Sequence, residues 1–350
     1  MTSSLFLEER LRDLAATKPG SFPDRGGGYF ERYVTIKNAL DRRYFSVAGA
    51  ALALGGERYT RHDLKHVEDV IFTAGRMLGD GTGKLTSALN AVEPYELFVL
   101  LLAILLHDAG NASGREGHEK RAASILRDVG APIDLEPLEI KLISSIARAH
   151  GGRTPQGDKD TIYHLPEADE VFHHPVRPRR LASLLRLADE FSENPRRADE
   201  GALRGDAAAP PESVIHNLFC KKISIRFDYD NHAIHAKFDV ESDLLARRFL
   251  YQRLPPVDIL LVDYIKIRLE KCELERRYCS RFLVGFLNYD RIRVTLNVSA
   301  DDEVRQQITF DLDDRGYPTS GLDWPRISSE FDGSAMLLKH ETARVVGDER

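Results

Sequence analysis

Histidine is the commonest metal ligand and a frequent acid or base near neutral pH, and this chain concentrates it in one region. Eight of the twelve histidines, at 62, 66, 107, 118, 150, 164, 173 and 174, fall between positions 62 and 174. Four places in that window and just beyond it carry candidate ligands. His62 and His66 stand four residues apart and therefore share one face of a helix. His107-Asp108 follows directly on ten apolar residues, Leu97 to Leu106. A buried helix ending in two ionisable groups must give them partners, because unpaired burial is expensive, and a bound cation is such a partner. His118, with Glu119 beside it, and His150 make the third place. The fourth is Asp189, an acidic residue in the helical stripe Leu184, Leu185, Leu187 and Ala188.

Helices must position these groups, and helix signals run from residue 60 onward. Thr60 with Asp63 resembles a capping box opening a helix to about Leu78, along which Val67, Val70, Ile71, Ala74, Met77 and Leu78 recur at helical spacing. Pro94 suits the first turn of a second helix that runs through Leu97–Leu106 and stops near Gly110. A helix that is apolar nearly all round is a central one. A third is predicted from about Glu116 to Asp128, a fourth from Pro137 to Ala149, and a fifth from Pro178 to about Phe191. A short amphipathic helix around Leu5 to Ala16 precedes them.

The pattern changes after Arg197. Ala202 to Ser213 reads as a linker or exposed loop. Ile223–Tyr229 and Ala233–Val240 alternate with period two about a turn at Asp230-Asn231, which is a hairpin signal. A helix from about Val257 to Phe282 follows, then strands over Arg291–Val298 and Gln306–Leu312. The expected fold class is mainly α, a helical bundle followed by a smaller α+β C-terminal region. Boundaries are expected at 1–58, 59–200 and 201–350, the last part being regulatory or oligomerising.

Composition narrows the function. The chain of 350 residues is 42% hydrophobic and 30% charged, enough for two globular domains at roughly 150 residues each. Its longest apolar run is about half of what a spanning helix needs. The N-terminus lacks a basic stretch leading into an apolar one, so a cytoplasmic location is expected and a membrane role is not. Three cysteines exclude a disulfide scaffold and a four-cysteine zinc site. A formal charge of −6 excludes a global basic field for nucleic acid, while local basic clusters leave that partner open.

The order His66, His107-Asp108, Asp189 on successive helices resembles the HD-domain metal-dependent phosphohydrolase superfamily. Val70 stands four residues after His66, the dyad ends an apolar helix, and Asp189 closes the segment Leu185-Arg186-Leu187-Ala188-Asp189. The resemblance covers about 60–195 and implies that His66, His107, Asp108 and Asp189 hold a divalent metal. Two imidazoles and two carboxylates suit Mn, Fe, Co, Ni or Zn better than a calcium or pure Mg cage, though Mg remains admissible. Such an ion activates water and neutralises charge on a phosphoryl oxygen. One or two ions are compatible with the chain. His118 and His150 would hold the second, or, with Glu119 and Asp108, serve in proton transfer and catalysis.

Within the superfamily, His150-Gly151-Gly152-Arg153-Thr154-Pro155 lacks the Gly-Tyr-Pro signature of cyclic-dinucleotide phosphodiesterases. Ala109-Gly110-Asn111-Ala112 lacks the acidic pair of alarmone hydrolases. Gly110 to His118 is loosely similar to the stretch after the dyad in deoxynucleoside triphosphate triphosphohydrolases. That similarity makes Arg115, Lys120 and Arg121 candidate substrate contacts and a dNTP the leading substrate; His62 joins them from the face it shares with His66, and Arg186 because its guanidinium matches phosphate oxygens. The similarity also implies a homo-oligomer; a nucleotide effector is left open, and a protein partner belongs to the nucleotide-sensor alternative. The layout is similar to that of bacterial HD hydrolases from phage-defence gene clusters. The alternatives are a phosphodiesterase or nuclease on cyclic nucleotides or single strands, and a nucleotide sensor acting through a partner protein.

Plainer readings stand beside these. His164, His173 and His174 lie in a polar loop and read as surface. Arg177, Arg179 and Arg180, like Arg186, could grip phosphate or sit on a solvated helix face. Gly79-Asp80-Gly81-Thr82-Gly83-Lys84-Leu85 follows a helix and lacks the Ser/Thr of a phosphate loop, so a helix-ending turn is expected there. Tyr29, Phe30 and Tyr33, and the pair Cys272 and Cys279, read as packing.

Overall fold

A computed structural model of the chain describes residues 5–23, 27–46, 63–79, 86–113, 117–133, 135–154, 156–204, 210–253, 255–313 and 322–336. They divide into two compact units. Of the described residues, those between 5 and 46, between 63 and 192 and from 278 to 288 make the first, and those between 193 and 277 and between 289 and 336 the second. Both units accord with a mainly α protein carrying a smaller α+β C-terminal region.

The first unit is helical: α1 (Phe6–Thr17), α2 (Tyr29–Leu40), α3 (Leu64–Leu78), α4 (Pro94–Leu106), α5 (Ala122–Gly130), α6 (Pro137–Arg148) and α7 (Pro178–Glu190). Helix α3 starts later than the capping-box reading. Asp63 is itself the N-cap, its carboxylate accepting from the backbone N–H of Lys65 and His66 at 3.0 and 3.3 Å, so the first helical residue is Leu64. Thr60 lies outside the described residues, as do positions 80–85 of the glycine-rich turn.

Helix α4 is the hub. Every residue from Tyr95 to Leu106 is buried, so a 13-residue rod about 20 Å long runs through the core. Pro94 starts it as expected, and Glu93 and Glu96 close a reciprocal cap. Glu96 is fully buried, and it accepts from the backbone N–H and Nε of Arg177, both at 2.8 Å. Arg177 therefore serves the N-terminal end of α4, while the His107-Asp108 dyad sits at the other end. His174 packs near Tyr95 at that same N-terminal end. His173 occupies the tip of a hairpin formed by β1 (Asp169–Val171) and β2 (His174–Val176), with its side chain 98% exposed. These two histidines are thus remote from the dyad along α4.

The N-terminal helices complete the unit. Tyr29 stacks on Phe22 and meets Phe98 of α4 edge-on, both with ring centroids 4.9 Å apart. The aromatic cluster packs, as its composition suggested. Helix α2 gave no clear signal in the sequence.

The second unit holds α8 (Ser213–Lys222), strands β3 (Ile223–Asp228) and β4 (Ala233–Glu241), the hairpin β5 (Arg248–Arg253) and β6 (Pro256–Leu260), helix α9 (Leu261–Leu283) as far as Arg277, and strands β7 (Arg291–Ala300) and β8 (Glu303–Asp313). The sheet order is β3-β4-β7-β8, with β4 and β7 parallel and the outer pairs antiparallel. A parallel pair requires a long crossover, here supplied by β5, β6 and α9. Ile234, Ala236, Phe238 and Val240 alternate inward on β4 against Ile292, Val294, Leu296 and Val298 on β7. The sequence reading started α9 at Val257. Residues 256–260 pair instead with β5, because Pro255-Pro256 and the β-branched Val257 and Ile259 favour an extended edge over a first helical turn. The expected linker is in part helical, since α8 begins at Ser213.

Leu101→Ala, in the middle of α4 where Leu101 is fully buried, should cost about 2–5 kcal/mol from lost burial and the cavity left behind. Thermal unfolding of the variant is expected to show the lower transition, and an unchanged curve would mean that α4 is not the core.

Candidate metal centre

Six side chains converge at the C-terminal end of α4. His66 comes from the first turn of α3, where the Asp63 cap fixes its backbone. His107 and Asp108 leave the last turn of α4. His118 stands on a single 3₁₀ turn, His118–Arg121. His150 follows the end of α6, and Asp189 lies in the last turn of α7.

Their atoms sort into two triads. Suitable ligand atoms of His66, His107 and Asp189 lie within 4.8 Å of one another, and so do those of Asp108, His118 and His150. Asp108 faces both. Its Oδ2 is 3.5 Å from His66 Nε2 and 3.6 Å from His107 Nε2. Its Oδ1 is 3.3 Å from His118 Nε2 and 3.9 Å from His150 Nε2. Asp189 Oδ1 completes the first triad at 3.3 Å from His66 Nε2 and 3.7 Å from His107 Nε2.

The hydrogen bonds behind the rings determine what the front nitrogens offer. His107 Nδ1 donates to the Ile104 carbonyl at 2.7 Å, and His150 Nδ1 to the Ala147 carbonyl at 2.6 Å. Each ring spends one nitrogen on the preceding helical turn and aims Nε2 at the carboxylates. His107 Nε2 is buried without a hydrogen-bond partner, its nearest carboxylate oxygens being too distant for one. His118 Nε2 and His150 Nε2 face each other at 3.4 Å. With its Nδ1 proton spent on Ala147, His150 presents its Nε2 lone pair there, which a proton on His118 Nε2 or a cation satisfies. Donor chemistry and orphaned atom therefore both fit divalent ions.

Electrostatics point the same way. Burial acts to lower the His107 pKa, but the Asp108 and Asp189 carboxylates outweigh it and raise it to about 9. Burial and the neighbouring charge of His107 push His150 down to about 4, keeping that ring neutral. Burial acts against ionisation of Asp189, yet His107 and His66 hold it well below the usual carboxylate range. The pocket thus demands positive charge between its two aspartates.

Other expected contacts are distributed differently. Glu119 is buried, with Oε2 3.6 Å from His118 Nδ1. Lys120 is exposed. Arg121 donates from Nη1 to the Gly110 carbonyl at 2.9 Å and so ties the post-dyad turn to the His118 segment. Arg186 donates to Thr161 Oγ1 at 3.1 Å and lies over the Tyr278 ring. Arg179 donates to the carbonyls of Leu165 and Tyr163, and Arg180 lies over Phe286. These arginines brace the chain around 161–165 and α7, a role invisible without the tertiary fold. His62 and Arg115 lie outside the described residues.

Two glycines that the sequence does not single out as site residues shape the centre. A Cβ on Gly110 would stand 2.2 Å from the His118 carbonyl oxygen, so only glycine lets the post-dyad turn approach the His118 turn. Gly152, at φ +72°, would place a Cβ 3.0 Å from Glu119 Oε1. Their positions two residues after the dyad aspartate and two after His150 were the available signal.

Comparison with known proteins fits this geometry. A family model described as HD-CE matches residues 56–261, more than half of the chain, and no curated protein matches it. The match identifies an HD-type domain, and the clustered histidines and aspartates are a site that could bind a divalent metal. No helix among the described residues is long and apolar enough to cross a membrane.

Binding to the folded state alone raises stability, by about 2.7 kcal/mol at a hundred times Kd. Mn²⁺ in excess should therefore raise the melting temperature of chelator-treated protein. The double variant His107→Ala/Asp108→Ala should show no such response. An equal response in both proteins would place the ion elsewhere.

Proposed function

The chain belongs to the HD-CE family, and we propose on that premise that it is a metal-dependent phosphohydrolase acting on a nucleotide. The observation that carries this reading is Asp108, whose two carboxylate oxygens face separate triads. His66, His107, Asp108 and Asp189 would hold one ion, and Asp108, His118 and His150 a second. Such ions, when bound, would activate water and neutralise charge on a phosphoryl oxygen. The chain's own residues supply the rest. Backbone carbonyls of Ile104 and Ala147 lock the rings of His107 and His150, so their ligating nitrogens need little reorganisation. The apolar wall of α4 keeps bulk water away from the dyad and strengthens charge interactions there.

For the substrate we carry forward a deoxynucleoside triphosphate, cleaved to nucleoside and triphosphate, on the similarity of the segment Gly110 to His118. A specific observation favours a second reading. Paired ions suit in-line displacement at a phosphodiester, and the second triad would support a phosphodiesterase or nuclease on cyclic nucleotides or single strands. A sensor that binds nucleotide without turnover is the third reading, and the complete ligand set weighs against it. A manganese-loaded, cytoplasmic homo-oligomer responding to a nucleotide effector or a protein partner completes the proposal, with antiviral defence as the setting suggested by layout.

A product screen by liquid chromatography separates the readings. Purified protein with Mn²⁺ receives pooled dNTPs, NTPs, cyclic dinucleotides and a single-stranded oligonucleotide, with His107→Ala/Asp108→Ala as control. Deoxynucleoside plus triphosphate is the expected product, reduced on the order of 100-fold or more in the variant, since even outer partners of metal ligands are worth 10–100-fold. Monophosphates or shortened oligonucleotides would move the assignment to the phosphodiester reading. No product under any nucleotide combination would contradict the hydrolase.

A further inference from the structure

The imidazoles of the second triad are oriented by two different devices. His150 is held from behind by a backbone carbonyl of its own helix, Ala147 O at 2.6 Å, and His107 of the first triad is held the same way by Ile104 O. His118 stands on a four-residue 3₁₀ turn, and behind its Nδ1 lies a carboxylate, Glu119 Oε2 at 3.6 Å. His118 is also the more exposed of the two, its side chain 21% accessible against 6% for His150. Its orientation is therefore less determined by helix packing than that of His107 or His150.

Glu119 is itself confined. It is buried, and Gly152 at φ +72° lies against it, so close that a methyl group there would be 3.0 Å from Oε1 and 3.1 Å from Cδ and Cγ. Gly152 belongs to the turn that follows His150. The turn that carries one ligand of the second triad thus also backs the carboxylate facing the other.

We propose that Glu119, seated against Gly152, is the positioning residue of His118 and sets the affinity of the second metal position independently of the first. The inference rests on the two-ion reading above. When Nε2 of His118 ligates, its ring proton resides on Nδ1, and a carboxylate facing that proton fixes the tautomer and raises the basicity of the ligand. No comparable charged group is needed behind His107, whose helix supplies the acceptor. The first position is then held by anchored ligands and the second is adjustable. An exchangeable second ion would let metal supply switch the centre between one and two ions.

The test is isothermal titration of Mn²⁺ into the chelator-stripped full chain, for wild type, Glu119→Ala, Glu119→Gln and Gly152→Ala, with circular dichroism as the folding check. Wild type is expected to bind two ions. Glu119→Ala should weaken the second by 10–100-fold and leave the first within twofold. Glu119→Gln keeps an acceptor and the shape, so it should recover most of the loss and stay within about tenfold of wild type. This isosteric variant carries the test if the alanine protein does not fold. Gly152→Ala, which displaces the carboxylate without removing it, should weaken the second ion selectively. Equal second-ion affinity in wild type and both Glu119 variants, or equal weakening of both ions, overturns the positioning role. A wild-type chain that binds a single ion overturns the two-ion reading, and the positioning role with it.

Discussion

Two carboxylates brought together against the end of a buried helix require positive charge, and the site is organised around that requirement. Asp108 and Asp189 lie within about 4 Å of four imidazole nitrogens. In water such a cluster would be worth little, because solvent screens it. At the buried end of α4, where the side chains of His66, His107 and Asp108 are less than 10% exposed, their interactions are screened less than in water, and an uncompensated charge there would be correspondingly costly. The carboxylates raise His107, whereas burial, and then the charge of His107, depress His150 against their pull. A proton on His107 partly satisfies the aspartates, and a divalent ion would do so more completely.

The scaffold follows from that need. Helix α4 must be buried on all sides to make the wall, so it cannot be anchored by a solvated face. It is anchored at its ends. At the N-terminal end Glu96 is taken up by Arg177. At the C-terminal end the chain must turn away at once so that Asp108 can face two triads, and Gly110 permits the close pass beneath His118. Arg121 then pins that pass by its bond to the Gly110 carbonyl. Arg121 is therefore spent on holding backbone.

What was legible in the sequence was what local pattern encodes. The ten apolar residues before His107, the proline starts of α4, α6 and α7, and the period-two strands β3, β4, β7 and β8 all stand where their signals placed them. The six converging side chains were all singled out, because their order along successive helices is itself a signal. Pairing was not legible. That Asp108 divides its two oxygens between triads depends on tertiary placement of a 3₁₀ turn, which has no strong periodicity. For the arginines on and before α7 chemistry alone permits phosphate contact or a solvated face, and the fold places Arg177 at the N-terminal end of α4 and Arg186 on Thr161. Helix α2 was missed because aromatic and β-branched residues such as Tyr29, Tyr33 and Val34 are indifferent helix formers stabilised by packing on α4. Strand β6 was missed because its apolar run merges with that of α9.

The division of Asp108 between two ion positions is the claim on which the functional reading depends most. The direct measurement is anomalous scattering from crystals of the full chain grown with Mn²⁺. The expected result is two peaks, one beside each carboxylate oxygen of Asp108, with His66, His107 and Asp189 around the first and His118 and His150 around the second. A single peak, or manganese bound away from Asp108, would contradict it.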